Sequence, residues 1–535
     1  MAQIRQIVLT LVVTAVLSEY AGGQVPRFFP DDPLRAMPAP MPVKAAVREN
    51  INDILDFLAH SKRSSPGPVK PAAATNTLGE VPDSEWFTNR HGQHRMSREE
   101  LQQGPRPREG PLLPFTVIAV KNVGIMPGFT VKDPKGQRYF VKWDPPGYCE
   151  LATGAETIVS RLLYAIGYNT PKNEIVQLKV TDLRLAANTR IVVHDNKSRP
   201  MTWRDLEYIV KEIPHYKDGS FRVVASLAIE GEIIGPFRYE GIRADDPNDV
   251  VPHEDRRDLR GLHVFSAWFN NTDAKASNTL DTIVEENGVR FIRHYLIDFG
   301  SALGSDGDAP KDPRLGHEYM LPTPGAALRQ ILTLGLAPAS WERARFPGLP
   351  AVGNFESQLF EPDKWKPDYP NPAFISRLPD DDYWAAKQVM AFTDDDIRAI
   401  VETARFTDVR STEYIAATLA NRRNKIGQTF FSKVLPLDHF RVENDDLLFD
   451  DLAVQYGFHS PRNYEVQWGA FNNTQQKLDP IPTARSTHLP SETSQAAVGS
   501  YFSADIHVMG EPFKTVSVYL RKEVNSYRVV GIDRL

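Results

Sequence analysis

Three short motifs, in a fixed order along the chain, restrict its fold more than any other feature. Tyr139-Phe140-Val141-Lys142 has the pattern of a strand that ends in a lysine. Asp273 is followed five residues later by Asn278, and the apolar pair Leu296-Ile297 leads into Asp298-Phe299-Gly300. A single D-F-G tripeptide arises by chance in about one chain in ten of this length. The order of the three motifs, with a predicted helix before the second, is therefore what carries the fold prediction.

The length of the chain predicts more than one domain. A single hydrophobic core stops growing at roughly 250 to 300 residues, and this chain has 535. Its hydrophobic content of 41% and charged content of 24% are those of soluble globular proteins, so we expect it to fold. The net charge of −6 provides no basic field to neutralise phosphates. We therefore expect no nucleic-acid partner.

The N-terminus has the pattern of a secretory signal peptide. Arg5 supplies a positive charge, an apolar run follows from Ile7 to Leu17, and Ala21-Gly22-Gly23 offers small residues for cleavage. The run is shorter than the ~20 residues that span a bilayer, and no second run of that length follows. We expect an exported protein, periplasmic or extracellular, with no transmembrane segment in the mature chain. The alternative is an apolar N-terminal strand of a cytosolic protein.

Composition divides the rest of the chain into three segments. A signal peptide at 1–23 is followed by an arm at 24–114 that is rich in proline, glycine, serine and charge. We predict a main domain at 115–435 and a small C-terminal β domain at 436–535, where apolar and polar residues alternate. Within the arm, the apolar spacing of Val47, Ile51, Ile54, Leu55 and Leu58 predicts a helix over 45–60 whose apolar face packs on another element.

The main domain is predicted to be α+β. Short strands separated by glycine and proline turns indicate an antiparallel meander at its start. The strands are followed by a helix over 153–166 and, further along, by a helix over 256–269 that leads into the loop containing Asp273. Between 312 and 435 the pattern is mostly helical.

The residue types in the three motifs suit phosphoryl transfer, which requires neutralised phosphates and an oriented hydroxyl group. The Lys142 ammonium can pair with phosphate oxygens. Mg²⁺ prefers oxygen ligands, so the carboxylate of Asp298 and the amide oxygen of Asn278 are suitable protein ligands. Asp273 would accept the proton of the acceptor hydroxyl, and Lys275 could hold the transferred phosphoryl group.

Two further features of a nucleotide site are predicted near the lysine strand. Glu156 lies within the following helix and is our choice for an ion pair with Lys142, with Glu150 as the alternative. The turns at Gly124 and Gly128 could cover the phosphates with backbone N–H groups, although the G-x-G-x-x-G pattern is absent.

These motifs resemble those of the protein-kinase-like superfamily. The region 115–435 is most similar to its atypical bacterial branch, with affinity to HipA-type toxin kinases and phosphoinositide kinases. The resemblance implies a two-lobed fold: an N-lobe with an antiparallel sheet and a helix, and a helical C-lobe, with ATP between them. The chain departs from the eukaryotic pattern at Asn271-Thr272, where histidine and arginine would precede the aspartate. The segment 81–90 resembles a group of exported bacterial proteins, a likeness that names no activity.

The leading hypothesis is an ATP- and Mg²⁺-dependent phosphotransferase acting on a hydroxyl of a protein, sugar or lipid. One alternative is a kinase-shaped binding protein of the cell envelope without turnover, which export favours because ATP is scarce outside the cytoplasm. Another is transfer of a nucleotidyl group by the same fold. Each residue also has an ordinary structural explanation: Lys142 as an edge-strand lysine, Asn278 as a helix cap and Asp298 as a turn residue.

Overall fold

The computed structural model describes residues 25–61, 68–105, 110–121, 128–193, 197–321, 339–482 and 485–534. The predicted signal peptide and Gly124 lie outside the described residues. Within the described ranges, no helix is long and apolar enough to cross a membrane.

The chain forms two compact units. The larger unit comprises Arg35–Thr75 and Val81–Lys433, and the smaller comprises Met1–Leu34, Asn76–Glu80 and Val434–Leu535. Parts of the predicted N-terminal arm thus belong to each unit. The α+β class is confirmed, since both units combine sheets and helices.

The larger unit carries the three motifs. Its strands are β1 (Phe115–Val120), β2 (Gly128–Lys132), β3 (Arg138–Lys142), β4 (Asn173–Leu178), β5 (Leu183–Leu185), β6 (Arg190–Val193), β7 (Lys197–Pro200), β8 (Phe221–Leu227), β9 (Glu232–Gly235), β10 (Thr279–Glu286) and β11 (Val289–Leu296). Its helices are α1 (Asp53–His60), α2 (Arg98–Gln103), α3 (Leu151–Ile166), α4 (Trp203–Lys211), α5 (Arg257–Trp268), α6 (Pro372–Ile375), α7 (Pro379–Met390), α8 (Asp394–Glu402) and α9 (Val409–Phe431).

A six-stranded sheet in the order β4-β8-β3-β2-β1-β5 forms the first part of this unit. Its strands pair antiparallel except for β1 and β5, which are parallel with Phe115 opposite Leu183. The expected purely antiparallel sheet is therefore wrong at this edge. The reason is that the chain between β1 and β5 returns to the same end of the sheet, as a parallel pair requires. One face of the sheet is a hydrophobic core with α4, built around Phe115, Val131 and Val141.

A second sheet in the order β11-β10-β9 places the last motif. β10 and β11 form a hairpin with Thr279 opposite Leu296. Its two-residue turn is Asn287-Gly288, and both residues have a positive φ, as a tight hairpin turn of this length favours. Because the hairpin folds the chain back on itself, the residues before and after it, Asn278 and Ile297, become neighbours.

The predicted helix over 45–60 is wrong in length and in packing. Helix α1 begins at Asp53 because the Asn52 side chain caps it, accepting from the backbone of Ile54 and Leu55 at 3.1 Å. The residues before it are extended, and the Glu49 N–H donates to Ile234 O at 2.7 Å. The apolar face that we expected to be buried is exposed: Ile54 is 70% and Leu55 is 66% accessible.

The smaller unit is mostly β. Its elements are β12 (Leu437–Glu443), β13 (Asp446–Asp451), α10 (Leu452–Gln455), β14 (Tyr464–Asn472), β15 (Lys477–Pro480), α11 (Ser491–Gln495), β16 (Tyr501–Val508), β17 (Glu511–Lys522) and β18 (Tyr527–Arg534). Five strands pair in the order β15-β14-β16-β17-β18. Trp468, Ile506 and Val518 are buried in its core, and Phe28 of the N-terminal arm stacks on Tyr501 with ring centroids 6.0 Å apart.

Candidate active site

Lys142 is directed by the alternation of strand β3. Tyr139 and Val141 point into the hydrophobic core, so Lys142 points to the opposite face. Its ammonium lies 2.7 Å from Asp298 Oδ1 and 3.4 Å from Glu156 Oε2. Lys142 is buried, with 8% of its surface accessible. The structure thus brings the strand lysine, the helix glutamate and the D-F-G aspartate into one cluster.

Glu156 is the buried centre of this cluster. Its Oε2 also accepts from the Phe299 N–H at 3.0 Å, and its Oε1 accepts from Asn173 Nδ2 at 3.1 Å. Nothing in the sequence singled out Asn173, because the contact depends on how β4 packs against α3.

The alternative glutamate, Glu150, has different partners. Its carboxylate accepts from the Tyr216 hydroxyl at 2.8 Å and from the Thr407 N–H at 2.9 Å. Of the two candidates, only Glu156 pairs with Lys142.

Asp298 follows β11 in an uncommon backbone conformation, with φ of 62°. A non-glycine residue in the left-handed region costs of the order of 1–3 kcal/mol, and such residues cluster at functional sites. The Asp298 side chain is 40% exposed, whereas that of Glu156 is 1% exposed. One carboxylate of the cluster is therefore structural and buried, and the other faces open space.

The D-x-x-x-x-N motif forms a compact loop after α5. Asp273 Oδ1 lies 2.8 Å from Lys275 Nζ, and Asp273 Oδ2 accepts from Asn278 Nδ2 at 2.9 Å. The loop is joined to the D-F-G segment because the Ile297 N–H donates to Asn278 O at 3.0 Å. The six residues predicted from the three motifs and the helix after β3 (Lys142, Glu156, Asp273, Lys275, Asn278 and Asp298) therefore lie in two adjoining clusters.

The loop is held from outside by polar contacts. Lys311 Nζ donates to the Thr272 hydroxyl at 2.9 Å, and Asn371 Nδ2 donates to Ala274 O at 3.1 Å. These anchors come from distant parts of the chain, so sequence spacing could not identify them.

The charges of the first cluster shift one another's protonation. Burial acts to lower the pKa of Lys142, but the carboxylates of Glu156 and Asp298 outweigh it and raise the pKa. Burial raises the pKa of Glu156. Burial also acts to raise the pKa of Asp298, but the Lys142 charge outweighs it, and the pKa is lowered. Lys142 is thus held as an ammonium, and Asp298 as a carboxylate that can bind a cation.

The second cluster is tuned differently. Burial raises the pKa of Asp273, although the Lys275 ammonium opposes this shift. Burial acts to lower the pKa of Lys275, but the Asp273 carboxylate outweighs it, and the pKa is raised. The charge of Lys275 also acts on Asp298, which ties the two clusters together electrostatically. A carboxylate with a raised pKa accepts a proton more readily, which suits a general base.

The donor set fits a Mg²⁺–nucleotide. Asp298 offers a carboxylate that is partly open to solvent. Asn278 uses its amide nitrogen to hold Asp273, so its amide oxygen is available as a ligand. One carboxylate and one amide oxygen are appropriate protein ligands for Mg²⁺, which keeps several waters and binds substrate phosphates.

The two predicted glycines differ. Gly124 lies outside the described residues. Gly128 begins β2 opposite Lys142, and a methyl group there would lie 2.3 Å from Val141 O. It therefore permits close approach of β2 to β3 beside the cluster.

Helix α1 also reaches the loop, which the sequence did not predict. Asp53 Oδ2 lies 3.6 Å from Lys275 Nζ, and Asp56 accepts from the Tyr369 hydroxyl at 2.7 Å. The polar face of α1 is thus the one that packs, which explains why its apolar face is exposed.

Comparison with known proteins gave few matches. No protein-family model matches the chain, and no curated protein matches it. A solved structure of the Golgi casein kinase with Mn/ADP bound aligns at 10% sequence identity with a TM-score of 0.31, covering 60% of this chain and 75% of that chain. A second Golgi casein kinase structure aligns at 9% identity and 0.29, with the same coverage. Likeness this low carries no conclusion, so the function rests on the side-chain geometry.

Proposed function

We propose that this protein is a phosphotransferase with a two-lobed, protein-kinase-like arrangement of its larger unit. It transfers the γ-phosphoryl group of ATP, in the presence of Mg²⁺, to a hydroxyl group of a protein, sugar or lipid. The observation that carries the proposal is the position of the Lys142 ammonium between Glu156 and Asp298, at 3.4 and 2.7 Å. A strand lysine, a helix glutamate and a D-F-G aspartate with these contacts are the parts that a kinase needs in place.

The side chains divide the work of the reaction. Lys142 and Lys275 neutralise phosphate charge. When bound to Asp298 and Asn278, Mg²⁺ would bridge the phosphates and offset the negative charge that develops in the transition state. The acceptor oxygen bonds to the γ-phosphorus while the bond from that phosphorus to the bridging oxygen breaks, and this electron pair leaves with ADP. The hydroxyl proton passes to Asp273.

The predicted signal peptide adds location to the proposal. An exported enzyme would act in the periplasm or outside the cell, on acceptors of the envelope. The experiment therefore uses separated protein, glycan and lipid fractions of a cell envelope as acceptors.

The test compares two labels. Purified protein is incubated with Mg²⁺ and ATP labelled at either the α- or the γ-phosphate, alone and with each envelope fraction. Transfer of the γ-label that is lost in Asp273→Asn supports the proposal. Transfer of the α-label means nucleotidyl transfer, and binding of MgATP with no transfer of either label means a kinase-shaped binding protein.

A matched control excludes a general effect of charge removal. Asp479 lies in the smaller unit with 71% of its side chain exposed. Asp479→Asn makes the same chemical change as Asp273→Asn and should leave label transfer unchanged.

A further inference from the structure

Lys121 lies beside the Lys142 cluster although no motif contains it. It directly follows β1, and its N–H donates to Gly128 O at 2.9 Å, which continues the pairing of β1 with β2. Gly128 is in turn opposite Lys142 in the pairing of β2 with β3. The Lys121 side chain runs across Gly128, because its Cδ lies 3.6 Å from where a Gly128 methyl group would be.

The absence of a side chain at Gly128 therefore has a second consequence. It leaves a shallow path over β2 along which the Lys121 stem can lie. Sheet register and this contact together direct the ammonium of Lys121 towards the side of the sheet that carries Lys142.

The Lys121 ammonium is short of negative partners. Within the described ranges it makes no hydrogen bond or ion pair. The two carboxylates whose charges act on it, Glu156 and Asp298, are both already in contact with Lys142. Lys121 is partly buried, and burial, followed by repulsion from Lys142, lowers its pKa. Two neighbouring ammonium groups that share these carboxylates form a site in which an added anion is stabilised.

The simplest alternative is a solvated lysine at the end of a strand. Lys132, at the other end of the same strand pair, has that character, since it is exposed at the end of β2. Lys121 differs from it in being partly buried and in acting on Asp298, whose pKa its charge helps to lower.

We propose that Lys121 is a second phosphate-binding lysine, which contacts the polyphosphate chain of the nucleotide next to the oxygens held by Lys142. This inference rests on the proposed function and deepens it. The sequence between β1 and β2 lacks G-x-G-x-x-G, so a side-chain cation supplies attraction that backbone N–H groups of a glycine-rich loop provide elsewhere. The ligand class is a nucleoside polyphosphate rather than a nucleoside.

The experiment measures the affinity of the full mature chain for MgATP and for adenosine by titration calorimetry. The variants are Lys121→Met, Lys121→Arg and the control Lys132→Met, each checked for an unchanged melting temperature. A charged hydrogen bond to phosphate corresponds to a roughly tenfold to hundredfold change in affinity. We expect Lys121→Met to weaken MgATP by this factor and to leave adenosine unchanged. Lys121→Arg should retain most of the affinity, and Lys132→Met all of it.

The outcomes separate this inference from the function on which it rests. Wild-type affinity for MgATP in Lys121→Met overturns the role of Lys121 and leaves the proposed function standing. Equal weakening of MgATP and adenosine also overturns it, because Lys121 would then act through the fold. Failure of the wild-type chain to bind MgATP overturns both.

Discussion

Replacing Glu156 by glutamine removes one charge from the centre of the site and keeps its shape. The carboxylate accepts from Lys142, from the Phe299 N–H and from Asn173. A glutamine amide oxygen can still accept from the first two donors. The Asn173 side-chain oxygen is buried without a partner, so a half-turn of that amide would let it accept from the new NH₂ group. We therefore expect Glu156→Gln to fold with its hydrogen bonds preserved.

The magnitude follows from the Lys142 contact at 3.4 Å. At this distance and an effective dielectric constant of about 20, the gross attraction is roughly 5 kcal/mol. Burial of the carboxylate offsets several kcal/mol of this attraction. We expect a net loss of about 1–3 kcal/mol in the free energy of unfolding. Without Glu156, the Lys142 ammonium interacts with Asp298 alone and competes with Mg²⁺ for it, so MgATP affinity should fall by about tenfold to a hundredfold.

Glu150→Gln is the matched control. Glu150 is equally buried, at 2% accessible against 1% for Glu156, and directly precedes the same helix. Its contacts to Tyr216 and Thr407 do not involve the site. Urea unfolding and calorimetry should show a comparable loss of stability for both variants, with MgATP affinity lowered only in Glu156→Gln. Wild-type affinity in Glu156→Gln, or the same loss in Glu150→Gln, would refute the reasoning.

Three further changes have defined outcomes. Asp273→Asn should lower kcat for phosphoryl transfer by about 10²- to 10⁴-fold with little change in calorimetric MgATP affinity, and equal losses in both would contradict its role as base. Gly128→Ala should destabilise the chain in urea by about 1–3 kcal/mol, since its methyl group would lie 2.3 Å from Val141 O, whereas Gly110→Ala, with no atom within 4 Å, should not. Burial, with the nearby Asp144 and Glu150 charges, raises the pKa of Cys149 to about 11. At about pH 8 roughly one thiol in a thousand is therefore ionised, so iodoacetamide should alkylate the folded chain far more slowly than the urea-unfolded one, about tenfold faster for each pH unit up to about 11. Equal rates in both states would show that the thiol is not protected.

Local sequence patterns were sufficient for the elements that hold the motifs. Strand alternation at 139–142 determines which way Lys142 points, and the Asn287-Gly288 turn closes the hairpin that brings Asn278 next to the D-F-G segment. These features depend on residues close in sequence, so spacing alone could indicate them.

Contacts between distant residues were not predictable in this way. The parallel pairing of β1 with β5 and the hydrogen bond from Asn173 to Glu156 depend on how separate elements pack. The apolar spacing in α1 indicated a buried face, but the polar contacts of Asp53 and Asp56 orient the helix the other way. Lys121 belongs to no motif and becomes visible only through the register of three strands.

The central claim is that Lys142, Glu156 and Asp298 form a Mg²⁺–nucleotide site. The most direct measurement is the calorimetric affinity of the mature chain for ATP, with and without Mg²⁺, compared with that of Asp298→Asn. This substitution keeps an oxygen that can accept from Lys142 and removes the carboxylate that would bind the metal. We predict that Mg²⁺ tightens ATP binding in the wild-type chain and not in Asp298→Asn. Absence of ATP binding at about millimolar concentration, or the same Mg²⁺ dependence in both proteins, would contradict the claim.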